Sequence, residues 1–221
     1  MKEGIVIVDK RAGMTSHDVV SSVRRRFKMR QVGHAGTLDP LATGVLIVLV
    51  GPATKLFNKF VLFDKAYSST LQLGISTTTA DIEGKVLTQQ PCEHITQRQI
   101  EETFKNFEGD IEQTPPMVSA VKVNGTRLYK LARSGVQVER EPRSIRIDTI
   151  KLTEFNSPFA KFYLECSKGT YVRQIVQDVG DILGCGACIT QIRRTKVGPF
   201  SIEEAVPLEE LNENHIRHWQ G

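Results

Sequence analysis

Along the 221 residues the spacing of apolar positions switches several times between strand and helix periods. Ile5 to Val8 begins a short buried strand. Thr15 and Asp18 have the spacing of a capping box, and Val19, Val20, Val23 and Phe27 follow at helical intervals. A helix is predicted over 15–30, with its basic residues off the apolar stripe. Gly33 to Pro40 reads as a glycine-rich loop, and Leu41 to Gly44 as a short helical turn. Val45 to Val50 is a continuous apolar run of strand length, which implies burial on both faces. Tyr67 to Leu73 alternates as a half-exposed strand does. Thr96 and Gln99 form a second capping box before Ile100, Phe104 and Phe107, with Gly109 as the stop. Residues 110–146, irregular and rich in Pro, Gly and charge, read as a mobile excursion from the core. It carries a short helix around Arg127 to Arg133, closed by Gly135. Residues 145–152 and 159–166 alternate again. Tyr171 to Leu183 has helical spacing through Ile175, Val176, Val179, Ile182 and Leu183, ended by Gly184. Strands outnumber helices and often adjoin in sequence, which predicts an α+β fold with a mainly antiparallel sheet.

Length allows one large domain or two small lobes around a shared core. No stretch approaches the roughly 20 apolar residues of a membrane span. The N-terminus lacks the apolar core and cleavage site of a signal peptide, so the cytoplasm is expected. Cys92, Cys166, Cys185 and Cys188 are then expected as free thiols. Cys185 and Cys188 have the spacing of half a zinc site or a redox pair, but no second such pair exists, and a turn after a helix is the stronger reading. No metal is expected there. The net charge of +4 hides an asymmetry. Residues 1–60 hold ten Lys/Arg against four Asp/Glu, whereas residues 203–213 hold five Glu and no Lys or Arg. The basic residues cluster at Arg24 to Arg30 and at Arg193-Arg194-Thr195-Lys196, as a phosphate backbone or a solvated helix face would have them.

Asp39 precedes Pro40, which pushes its backbone towards extended conformations. Pro suits the first position of a helix and Asp its N-cap, so a capping role is the reading closest to hand. The flanks offer another. Gly33, His34, Gly36 and Thr37 make a loop that can approach a ligand closely, and the strand that follows would hold the Asp rigidly. His34, between glycines in a basic region, could stack on a base or touch phosphate. Lys168 to Arg173 lies where a strand runs into a helix, which puts Tyr171 and Arg173 near a helix N-terminus.

The segment Gly33-His34-Ala35-Gly36-Thr37-Leu38-Asp39-Pro40-Leu41-Ala42-Thr43-Gly44-Val45-Leu46 resembles the catalytic-aspartate signature of the bacterial tRNA pseudouridine-55 synthases, the TruB family. Four further motifs stand in family order. They are Asp9-Lys10 with Gly13 to Ser16, Asp64 to Tyr67, Gly109 to Pro116 running on to Ser119-Ala120-Val121-Lys122, and Cys166 to Arg173. Together they span about residues 4–207. The resemblance implies a long, bent, mainly antiparallel mixed sheet with flanking helices and a central active-site cleft. It implies one catalytic domain over 1–221, with an RNA-gripping insertion at about 110–146. The implied substrate is uridine 55 in the T loop of tRNA, presented on the T-arm stem-loop and flipped out of its stack. Asp39 would be the nucleophile, attacking either the sugar or C6 of the uracil. Arg173 would be its charged partner, and Tyr67 would stack on the target ring and help move a proton. His34, Tyr171, Ile192 and Lys10 match family positions at or near the substrate. No cofactor and no obligate protein partner are implied, and a monomer is expected.

Arg11 stands where the family usually has proline. No separate C-terminal RNA-binding domain, such as many members carry, is expected, and the catalytic domain's own basic residues are then expected to carry more of the tRNA binding. The other readings are the guide-RNA-dependent enzymes of archaea and eukaryotes, which rely on such a domain and on protein partners, and an RNA-folding chaperone that has lost catalysis; the intact Asp39, Tyr67 and Arg173 set argues against that loss, and family enzymes could do both jobs.

Overall fold

The computed structural model describes residues 3–119, 121–123, 125–136 and 138–219, apart from the side chains of Lys122, Val123, Arg127, Tyr129, Lys130 and Arg133. Ala120, part of one family motif, lies outside the described residues. The chain divides into two compact units, Met1–Ser68 with Gln191–Gly221, and Ser69–Thr190.

The first unit begins with β1 (Gly4–Lys10), α1 (Ser16–Phe27), β2 (Val32–Ala35) and β3 (Thr43–Val50). After a 3-10 turn and the single-turn helix α2 (Phe57–Phe60), β4 (Lys65–Leu73) leads out of the unit. The expected capping box starts α1: Thr15 Oγ1 accepts from the Asp18 amide, and the Asp18 carboxylate accepts from the Thr15 amide. Its far end is closed by Lys28 in the left-handed region, at φ 52°. β1 and β3 pair antiparallel along their whole length, Gly4 against Val50 through Lys10 against Gly44. Both faces of this pair are buried, as the apolar run predicts. One face packs Ile5, Ile7, Val45, Ile47 and Leu49 against Phe60, Val197 and Phe200. Phe60, Phe200 and Trp219 form a ring cluster there, with centroids 5.2–6.2 Å apart.

Two expectations fail in this unit. Gly33 to Ala35, expected as the start of a loop, belongs to β2, which pairs with β3, with His34 opposite Val48. Gly33 and Gly36 mislead, because Gly33 adopts ordinary strand geometry and only Gly36 takes a positive φ, 89°. Leu41 to Gly44 forms no helical turn. The Ala42 amide donates to the Asp39 carbonyl at 3.1 Å, which closes a single turn with Pro40 at its second position. β3 starts directly afterwards, so Asp39 caps no helix.

The second unit continues through β5 (Ile75–Thr77), β6 (Val86–Gln89), α3 (Gln97–Lys105), β7 (Gly109–Gln113), β8 (Lys122–Val123), β9 (Thr126–Arg127), α4 (Leu128–Arg133), β10 (Arg143–Asn156), β11 (Phe159–Cys166), α5 (Val172–Ile182) and β12 (Ala187–Val197). β12 re-enters the first unit, where β13 (Phe200–Ser201) pairs with it and β14 (Val206–Pro207) runs parallel to β1. Its parallel pairing with β3, Arg194 opposite Gly44, makes the first unit's sheet mixed. β7, β10 and β11 pair antiparallel. The excursion expected over 110–146 therefore has both ends in a sheet, Gln113 facing Arg143 and Asp110 facing Arg146. β4 is more buried than alternation implies, because its polar positions include small hydroxyl residues, whose burial costs less than that of a charge. Ser69 and Thr70 are buried, and the Thr70 carbonyl accepts from Thr190 Oγ1 at 3.2 Å. Ile182, expected on the apolar stripe of α5, is exposed at the helix end. The hydrophobic pattern assigns no element to 187–197, where β12 lies.

Candidate active site

The turn that carries Asp39 is held on every side by the first unit. Ser16, the first residue of α1, is buried, and its hydroxyl accepts from the Leu38 amide at 2.8 Å and donates to the Leu38 carbonyl at 3.0 Å. On the other side, the Pro40 carbonyl accepts from the Gly13 amide at 2.9 Å and from Lys10 Nζ at 3.3 Å. Lys10 is fully buried and also donates to the carbonyls of Met14 at 2.7 Å and Arg11 at 3.0 Å. An ammonium has three donors, and each of these carbonyls can accept from it. Lys10 thus ties the β1–α1 turn to the Asp39 turn.

Arg194 completes the mount. It is 2% exposed. Nε donates to the Val45 carbonyl at 2.8 Å, Nη2 to Gly36 at 3.0 Å and Nη1 to Thr37 at 3.4 Å. The guanidinium also hydrogen-bonds the Tyr67 side chain and feels the Asp39 charge. Burial pulls Arg194 below its ordinary pKa, and Tyr67 and Asp39 oppose that pull. A guanidinium does not deprotonate in proteins, so Arg194 is a buried cation. Gly44 permits its approach: at φ 99°, a Cβ there would lie 2.2 Å from the Arg194 carbonyl oxygen.

Of the residues singled out in the sequence, Lys10, His34, Asp39, Tyr67 and Ile192 belong to this unit. His34 sits on β2, half-buried, with Nδ1 buried and unpartnered. Burial holds its pKa below the ordinary histidine value, and the charges of Arg194 and His17 add to this. A neutral imidazole results, fit to stack rather than to act as a cation. Ile192 is buried two residues before Arg194 on the same face of β12. Its neighbour Arg193 turns the other way and forks onto Asp9, at 2.8 and 3.2 Å.

Tyr171 and Arg173 belong to the second unit. Tyr171 is the N-cap residue of α5 without a side-chain cap. The buried Gln113 holds its backbone, accepting from the Tyr171 amide at 2.8 Å and donating to its carbonyl at 3.1 Å. Arg173 is buried at the start of α5 and donates to the carbonyls of Thr79 at 2.8 Å and Val118 at 2.9 Å. Asp81, also buried, lies 3.6 Å from it. Among the described residues no three His, Cys, Asp or Glu side chains gather as a metal site.

The turn that carries Asp39 lies inside the glycine-threonine-aspartate segment, and that segment falls within the stretch that the family comparison matches. The family model for the N-terminal domain of TruB family pseudouridylate synthases covers residues 24–172. This chain belongs to the TruB family. A second model, the C-terminal domain of tRNA pseudouridylate synthase B, covers residues 173–220. Similar proteins named tRNA pseudouridine synthase B come from Opitutus terrae, 46% identical over 95% of this chain and 87% of the relative, and Thermobifida fusca, 48% identical over 96% and 75%. Among solved structures, the chain resembles one in a Cbf5–Nop10–Gar1 complex, with TM-score 0.75, 29% identity and 95% of this chain covered. It also resembles one in an H/ACA ribonucleoprotein bound to a substrate RNA containing 2′-deoxyuridine, with TM-score 0.70 and 26% identity over 94% of this chain. This chain spans about half the length of those two, 54% and 52%.

Family membership makes the chain a pseudouridylate synthase, hence an isomerase, with an α+β fold and a mixed sheet. Sequence reasoning misses three residues of this TruB chain. Ser16 stands out only as part of an N-terminal motif. Asp81 does not stand out at all. Arg194 groups with Arg193 and Lys196 as a phosphate-facing cluster, and its burial corrects that. The available signal is the period of β12, which puts Ile192 and Arg194 on one face.

Proposed function

We propose that this chain converts uridine 55 in the T loop of tRNA to pseudouridine, with Asp39 as nucleophile. The observation that carries this reading is the mount of Asp39. The backbones of residues 36, 37, 38 and 40 are each fixed by a hydrogen bond from Arg194, Ser16, Gly13 or Lys10. A carboxylate whose flanking backbone is held in this way starts from a defined position, which is what attack on a held sugar or base demands.

The reaction breaks the N1–C1′ bond, turns the uracil and joins C5 to C1′. C5 loses a proton and N1 gains one, so atoms and charge balance without a co-reactant. Tyr67 would stack on the flipped ring and assist the proton. Arg173 would supply the cation opposite the nucleophile, and its buried, three-sided mount suits a fixed charge. His34, Tyr171 and Ile192 would contact the substrate, and Lys10 would act through the turn it holds. In this reading the enzyme acts in the cytoplasm as a monomer, on the T-arm stem-loop, without an obligate protein partner. The likeness to Cbf5 chains favours a second reading, in which catalysis needs guide RNA and partner proteins.

Tritium release from tRNA labelled at uridine C5 tests both. Wild-type protein should release tritium from an isolated T-arm stem-loop with nothing added; release only with guide RNA and partners would favour the second reading. Asp39→Asn should abolish release and leave tRNA binding within several-fold. A large loss of binding instead would reduce Asp39 to a structural turn residue.

A further inference from the structure

Arg194 is a fully buried charge that holds the Asp39 turn but is given no further part in the reading above. A guanidinium that leaves water must be repaid by hydrogen bonds, and replacing a buried ion by an apolar side chain is often neutral or stabilising. Stability alone is therefore a weak reason for a buried arginine here. Its contacts suggest a different one. Three of its donors reach carbonyls that bracket the nucleophile turn, Gly36 and Thr37 before Asp39 and Val45 after it. The same guanidinium touches Tyr67 on β4. A planar fork fixes the directions of its five donors, whereas an ammonium, as at Lys10, is a compact point charge.

We infer that Arg194 is a positioning residue that sets the Asp39 turn and the Tyr67 hydroxyl in one register. This deepens the proposed function and rests on it for the catalytic consequence alone. The arginine works through two arms. One arm fixes the peptide planes ahead of Asp39 and so the direction of its carboxylate. The other occupies a lone pair of the Tyr67 oxygen, which leaves the phenolic proton free to point away from the guanidinium. Gly44 is part of the same device. The bare backbone at Gly44 lets β12 pair closely with β3, and that pairing sets the depth of Arg194.

The test compares wild type, Arg194→Lys, Tyr67→Phe and the double variant, all below their thermal midpoints. Two readouts are taken: hydrogen exchange of the amides over 36–44, and single-turnover tritium release at saturating tRNA with the binding constant measured separately. Arg194→Lys keeps the charge and loses the fork. Its exchange over 36–44 should accelerate at least tenfold, while tRNA binding stays within about threefold. Release should fall about 100-fold, the scale expected of a misplacement near 1 Å. Tyr67→Phe should leave exchange over 36–44 unchanged. The double variant should release no more slowly than the slower single variant, because both changes break one arrangement. Unchanged exchange in Arg194→Lys overturns the first arm, and an unreduced rate with faster exchange overturns its catalytic meaning. If Arg194→Lys does not fold, Tyr67→Phe still decides the second arm, which an unreduced rate would overturn. If wild type releases no tritium, the proposed function fails, and the exchange comparison still decides whether Arg194 fixes the turn.

Discussion

At the residue scale, His34 joins sequence, burial and pH most directly. Its place between glycines suggests a loop ligand; β2 instead half-buries it beside Arg194 and leaves Nδ1 without a partner. Its pKa is depressed by burial first, then by Arg194 and His17. The sign of the consequence follows. Below about 6.5, the ordinary histidine value, the unfolded chain takes up a proton that the folded chain resists. The unfolded state then binds more protons, so stability falls as the solution is acidified towards the folded pKa. Above about 6.5 the contribution is flat. Thermal midpoints measured from pH 5 to 8 should fall on the acid side for wild type. In His34→Gln that acid-side fall should be visibly smaller. Equal slopes for the two proteins would mean that His34 titrates as freely in the fold as out of it.

At the element scale, the start of α1 does two jobs. Thr15 and Asp18 make its cap, which the sequence spacing announces. Ser16 turns inward instead and holds both backbone groups of Leu38, 22 residues away in sequence. No periodicity announces such a contact, because it depends on where the turn after β2 lies against the helix end. Ser16→Ala removes the acceptor of a buried amide and should destabilise the protein by about 1–3 kcal/mol, the cost of leaving such a group unpaired. If the turn is catalytic, turnover should fall further than stability explains. At a temperature where Ser16→Ala is fully folded, its single-turnover release should still be at least tenfold slower than wild type, with tRNA binding retained. A rate equal to wild type under those conditions would make Ser16 a matter of stability alone. The elements themselves are largely legible where one period runs long enough. Both capping boxes, the buried run of β3, and β10, β11 and α5 all stand near where their apolar spacing puts them. The failures lie where glycine sits in ordinary strand geometry, as in β2, or where charged residues interrupt the alternation, as in β12.

Over the whole molecule, charge is the property whose meaning changes most between sequence and structure. The run Arg24 to Arg30 and the run Arg193 to Lys196 look alike as strings of basic residues, and folding gives their members separate fates. Arg194 is buried among carbonyls. Arg24 donates to the Val32 carbonyl at 2.8 Å, and Arg26 to those of Glu209 and Leu211 at 2.7 and 2.6 Å. The acidic stretch near the C-terminus therefore meets the basic helix, and Glu209 also lies 3.6 Å from Arg11. A groove lined by Arg11, Ser22, Arg25, Arg26, Leu208 and Glu209 results. Salt dependence of tRNA binding separates these roles, because every cation withdrawn from a phosphate lowers the slope of log affinity against log salt by about one. Arg25→Gln, which removes an exposed cation from the groove, should lower the slope by about one. Arg24→Gln should leave the slope unchanged and lower the thermal midpoint, because its guanidinium serves β2. Glu209→Gln should tighten binding at low salt by removing the groove's opposing charge. An unchanged slope for Arg25→Gln, with a lowered one for Arg24→Gln, would mean that the tRNA backbone follows another face of the molecule and that the groove is bystander surface.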